Sequence, residues 1–205
     1  MEKKVNLNIS DDLKSFFWAP PKTGSMHATT IFSCLSFHFV ECSYDRNIIY
    51  NSENFPHHNH SLSLFQGHED YVLISTARNP LTRLISTYQH HNRINETPIS
   101  GFKKFFSEGY CKNPFGFFTS GMNNLSRVPD YFIRIENMFE DYMKIPFISE
   151  SKLAKSGLLE EICNKKKNAS PSSLNPKECY TNDMIDFVYS NHKWYFDKLG
   201  YKPTI

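Results

Sequence analysis

Ser15-Phe16-Phe17-Trp18-Ala19-Pro20-Pro21-Lys22-Thr23-Gly24-Ser25 is the stretch on which the fold turns. Its first half is a short apolar, aromatic run stopped by two prolines, the pattern of a buried strand running into a turn. From Ser25 the spacing changes: Ala28, Ile31, Phe32, Leu35 and Phe39 recur at helical period, which predicts a helix of about four turns. A strand that feeds a glycine-containing turn and then a helix start presents unpaired backbone N–H groups and the positive end of the helix dipole. Such a place wants an anion. Gly24 lets the backbone approach it, Thr23 and Ser25 can add hydroxyl donors, and Lys22 adds a mobile positive charge.

The same grammar repeats downstream. Tyr71 to Ala77 is a β-rich run ending at Arg78, and Asn79-Pro80 offers an N-cap and an N1 proline for a helix carrying Leu81, Leu84, Ile85 and Tyr88. Tyr131 to Ile135 is a third strand candidate, followed by a helical Met138 to Met143. Strands alternating with helices predict an α/β fold: three layers around a central parallel sheet, built from P-loop-like strand–loop–helix units. Residues 1–14 read as a polar lead-in. Residues 41–70 and 92–130 read as substrate-side loops and short helices, 165–177 as a loop, and Asp183 to Leu199 as a helix capped by Gly200. A length of 205 residues suits one domain spanning 1–205.

With 40% hydrophobic, 15% aromatic and 21% charged residues, the balance is that of a globular protein. A formal net charge of +2 is too small for a nucleic-acid binder, so any anion site must be local. Five cysteines without a CxxC pair suggest free thiols rather than a disulfide framework or a zinc knuckle. No apolar run approaches a membrane span and none follows the N-terminal lysines, so the expectation is a soluble, cytoplasmic protein.

Residue order decides between nucleotide loops. In the Walker A loop the lysine follows the second glycine, whereas here Lys22 precedes Gly24, which disfavours an ordinary ATPase or kinase. Pro21-Lys22-Thr23-Gly24-Ser25 instead resembles the 5′-phosphosulfate loop of sulfotransferases that use PAPS (3′-phosphoadenosine 5′-phosphosulfate), written P-K-[ST]-G-[ST]-[ST]. Ala77 to Tyr88 is similar to that family's V-R-N-P-x-x-R-L-x-S-x-Y block nearly throughout, with Arg78 and Ser86 eight residues apart. Ile133 to Met138 resembles its R-x-E-[DN]-[LM] strand end, and Asp186-Phe187 with Leu199-Gly200-Tyr201 its closing pattern.

The resemblance implies that Lys22, Thr23, Gly24, Ser25 and Met26 hold the 5′-phosphosulfate and that Arg78 and Ser86 hold the 3′-phosphate, with Arg83 a structural partner. Met26 stands where a second hydroxyl is usual, leaving its backbone N–H as the contact. The implied reaction moves a sulfuryl group from PAPS to a hydroxyl or amine of a glycan or small molecule, without a metal. Lys22 would neutralise the leaving phosphate and a histidine would take the acceptor's proton. His57, His58 and His60 all lie roughly twenty residues before Arg78. His60 is favoured and His58 comes next, because His58-Asn59-His60-Ser61 resembles the H-G-H-V stretch of glycan uronyl 2-O-sulfotransferases. His90 and His91 are read as following the second helix, able to reach substrate or to face water. The aromatic run Phe102 to Phe118 is weighted toward core over an acceptor pocket. The alternatives are a catalytically degenerate PAP- or PAPS-binding module and a P-loop phosphotransferase, and the latter should carry a Walker lysine and a magnesium-holding Asp.

Overall fold

A computed structural model describes residues 3–18, 20, 22–44, 70–110, 128–165 and 174–205. Five strands form one open sheet: β1 (Lys3–Ser10), β2 (Ser15–Trp18), β3 (His38–Tyr44), β4 (Val72–Ala77) and β5 (Tyr131–Arg134), in the order β3-β1-β2-β4-β5. β2, β4 and β5 are parallel neighbours, with Phe17 opposite Ile74 and Ile74 opposite Tyr131. β1 alone is reversed, pairing antiparallel with both β2 and β3. The sheet is therefore mixed, where a parallel one is predicted. The cause is local: only residues 11–14 join β1 to β2, and so short a link closes a hairpin but cannot carry a parallel crossover.

The predicted second helix is α2 (Pro80–Ile94), capped as expected: Asn79 accepts from the N–H of Leu81 at 2.9 Å and Pro80 occupies the first turn. His90 and His91 lie inside it rather than after it. The first helix, α1 (Ser25–Ser33), is shorter than its apolar spacing predicts. Ser36 takes a left-handed φ of 65° and turns the chain, so that Phe37 packs its ring 4.9 Å from Phe32 before β3 begins. α3 (Phe102–Phe105) runs into a short π turn. After β5 come α4 (Met138–Tyr142), α5 (Pro146–Ser149), α6 (Lys152–Lys155) and α7 (Leu158–Asn164). Within the span read as a loop, Pro176 opens α8 (Pro176–Cys179), capped by the Asn175 side chain. α9 (Asn182–Leu199) ends on Gly200 in the left-handed conformation, as predicted.

Side-chain alternation along the strands divides the core. Phe17, Ile74 and Ile133 point to one face and pack with Ala28, Ile31 and Phe32 of α1 and with Tyr142, Ile148 and Leu159. On the other face Phe132 meets Trp194 of α9 at 5.6 Å, and α9 joins α2 and α3 in a second cluster of Leu81, Leu84, Phe102, Phe105, Val188 and Phe196. Phe102 and Phe105 are core, as weighted from the sequence, while Phe115, Phe117 and Phe118 lie outside the described residues. Because β2, β3, β4 and β5 run the same way, their C-terminal ends deliver the loop before α1, residue 78 and residue 135 to one edge. That edge is where chemistry would gather.

Candidate functional site

The loop after β2 is held by a threonine that faces inward. Thr23 is 1% exposed, and its Oγ1 lies 2.6 Å from the Pro20 carbonyl and 2.6 Å from Oγ1 of Thr76 in β4. Its hydroxyl is thus bound into the sheet, which makes Thr23 an anchor of the loop rather than a hydroxyl donor to an anion. Lys22 and Gly24, on either side, both have positive φ, 68° and 81°. Gly24 is needed there twice over: its conformation suits glycine, and a Cβ would lie 3.2 Å from Cδ1 of Ile135. The first turn of α1 follows with no side-chain cap, so its N–H groups open toward the loop. Ser25 is half-buried at its start, while the Met26 side chain is 69% exposed and turned outward.

Arg78, at the end of β4, joins the second unit to the first. Its Nε donates to Thr82 Oγ1 at 3.1 Å and its Nη1 to the Lys22 carbonyl at 3.5 Å. The two sequence blocks, 56 residues apart, therefore meet in one place. Behind Arg78 stands Glu136, which accepts from the Asn79 N–H at 3.0 Å and from the Tyr201 hydroxyl at 3.1 Å. Asn79 Nδ2 also donates to the Lys202 carbonyl, so the chain end closes over the same turn. Arg134 is held separately: it forks onto both oxygens of buried Asp141 at 2.8 Å and reaches the Leu199 carbonyl. The strand-end and closing patterns noted in the sequence thus serve to fix Asn79 and the edge around it.

Along α2 a polar line runs from Thr82 through Ser86 and His90 to Arg93, at helical spacing on one side of the helix. Ser86 is half-buried. Arg93 Nη2 donates to His90 Nδ1 at 3.0 Å. Burial lowers the pKa of the Lys22 ammonium, and the charges of Arg93 and Arg78 lower it further. Burial likewise lowers the His90 imidazole, with Lys22, Arg93 and His91 adding to the effect. None of the ion pairs among the described residues includes Lys22, Arg78 or Arg93. The edge is a cluster of cations, and Glu136, the carboxylate whose charge acts on Arg78, is engaged by the Asn79 N–H and the Tyr201 hydroxyl. Arg83, by contrast, is buried against Tyr195, in keeping with a structural role.

The structure thus brings Lys22, Gly24, Ser25, Arg78 and Ser86 to one edge. His57, His58 and His60 lie outside the described residues. Arg93 was not evident from motif matching, although its position seven residues after Ser86 on the same helix was the available signal. Among the described residues no group of three or more His, Cys, Asp and Glu side chains is placed to hold a metal ion, and no helix is long and apolar enough to cross a membrane. Comparison of the chain with protein-family models, with curated proteins and with solved structures finds no match.

Proposed function

We propose that the chain is a PAPS-dependent sulfotransferase acting on a hydroxyl of a glycan or small molecule, with a P-loop-like, three-layer α/β architecture. The observation that carries this reading is the meeting of Arg78 with the Lys22 carbonyl, which joins two phosphate-binding blocks into one cationic edge. On this reading the backbone N–H groups opening α1 take the 5′-phosphosulfate, and Arg78 with Ser86 takes the 3′-phosphate. In the transfer step the acceptor oxygen attacks sulfur as its proton passes to His60, or to His58. The bond between sulfur and the bridging oxygen breaks, and the electron pair leaves on the phosphate of PAP (3′,5′-adenosine bisphosphate). Lys22 meets that growing charge, and its lowered pKa makes it a readier proton donor to the leaving oxygen.

Thermal shift with PAP against ATP plus magnesium tests the nucleotide. PAP should raise the melting temperature and ATP should not, and stabilisation by ATP alone would overturn the reading. Labelled sulfate transferred from PAPS to an acceptor panel tests the chemistry. Lys22→Ala should cut transfer at least about a hundredfold, the scale of losing one preorganised charge at a developing anion. Equal transfer by wild type and Lys22→Ala would refute the mechanism, and PAP binding without transfer would leave a binding module.

A further inference from the structure

Two phosphates account for only part of the positive charge on the edge. The loop and Lys22 provide for one, and Arg78 with Ser86 for the other, yet His90 and Arg93 continue the same line of α2 by a further turn or two. From Ser86 to Arg93 the helix axis advances roughly 10 Å, well beyond the width of a phosphate. The histidine is also set to bind an anion. A guanidinium can only donate, so the 3.0 Å contact from Arg93 makes His90 Nδ1 the acceptor and leaves the imidazole proton on Nε2. The pair therefore offers an N–H of His90 and the remaining N–H groups of an exposed arginine, both close enough to Lys22 for its charge to be felt. No carboxylate among the described residues pairs with either.

We infer that His90 and Arg93 form a second anion subsite beside Lys22, on the acceptor side, and that the acceptor is a hydroxyl compound bearing its own carboxylate or sulfate group. The inference rests on the sulfuryl-transfer reading for the word acceptor, but the subsite itself does not. A charge-assisted contact of this kind separates an anionic from a neutral ligand by about tenfold or more.

The test uses 4-hydroxybenzoate and 4-hydroxybenzamide, two hydroxyl compounds differing in charge, titrated calorimetrically into the full chain saturated with PAP. The benzoate should bind at least about tenfold tighter than the amide. In Arg93→Ala that preference should shrink to within about twofold while the affinity for PAP stays within about twofold of wild type, and Arg93→Lys should restore part of the preference. Circular dichroism and melting temperature confirm that the variants fold. No preference in wild type, or an unchanged preference in Arg93→Ala, would overturn the subsite. A loss of PAP affinity as large as the loss of preference would assign Arg93 to the nucleotide and overturn it too. If PAP fails to bind wild type, the nucleotide reading falls, and the same benzoate preference measured without nucleotide still decides the subsite.

Discussion

Thr23 carries its side chain away from the loop whose shape it sets. Its hydroxyl satisfies the buried Pro20 carbonyl and touches Thr76 across the sheet, so the two left-handed residues beside it, Lys22 and Gly24, are held from below. Thr23→Val keeps the shape and removes both contacts, leaving the Pro20 carbonyl with the longer Thr23 N–H bond and the buried Thr76 hydroxyl without its Thr23 partner, at a cost of about 1–3 kcal/mol. The denaturant midpoint should fall accordingly, and PAP affinity should weaken several-fold as the loop loosens. An unchanged midpoint would show that the hydroxyl anchors nothing. The role was invisible in the sequence because Thr76 lies 53 residues away, and a threonine in a phosphate loop reads as a ligand by default. Gly24 was legible, since a tight approach to a helix start calls for glycine whatever the partner. That the partner is Ile135 was not.

At the scale of elements, β2, β4, α2 and β5 were legible because each carries its pattern locally: apolar runs, then Asn79-Pro80 to start the helix. β1 was missed although Val5, Leu7 and Ile9 alternate, because Lys3, Lys4, Asn6 and Asn8 between them read as a polar lead-in. α1 was read too long because periodicity cannot show that Ser36 turns left-handed. α9 was read correctly as a helix but not its break at His192, where φ is −126° and ψ 20°. Burial, with the charge of Arg83 next, pulls the His192 imidazole down to about 3. In the unfolded chain it returns to the ordinary value near 6.5, so unfolding takes up a proton between these limits. Stability on this account is complete above pH ~6.5 and falls as pH drops toward about 3, by up to about 1.4 kcal/mol per pH unit. His192→Phe should flatten that part of the profile, with a smaller fall in melting temperature between pH 7 and pH 5 than wild type. Parallel profiles would place the acid sensitivity elsewhere.

The molecule as a whole builds its cationic edge from segments far apart in the chain: the loop before α1, the β4–α2 junction, the end of β5 and the residues after α9. A net charge of only +2 hides this, since 23 lysines and arginines are nearly balanced by 21 aspartates and glutamates over the chain, while the edge gathers cations. The resemblance raised the expectation that the Lys22 and Arg78 blocks share one place, and the two do meet at the Lys22 carbonyl, but what fastens the turn beside them was not legible. Glu136 is the fastening, with one oxygen on the Asn79 N–H and the other on the Tyr201 hydroxyl, while the Lys202 carbonyl takes Asn79 Nδ2. Burial and the Glu136 carboxylate push the Tyr201 phenol well up, so it remains a donor at any working pH. Tyr201→Phe removes that donor and should lower stability by about 0.5–1.5 kcal/mol. The turn that aims Arg78 then loses one of its supports, so PAP affinity should fall by about threefold to tenfold, up to the 1.4 kcal/mol that tenfold represents. Ser151→Ala separates this from general destabilisation: it strips the N-cap of α6, whose hydroxyl accepts the Ala154 N–H at 3.2 Å, at a similar cost of about 1 kcal/mol but away from the edge. Calorimetric titration of PAP into both variants should show weakened binding in Tyr201→Phe alone. Equal affinities would mean that the chain end stabilises the fold without shaping the site.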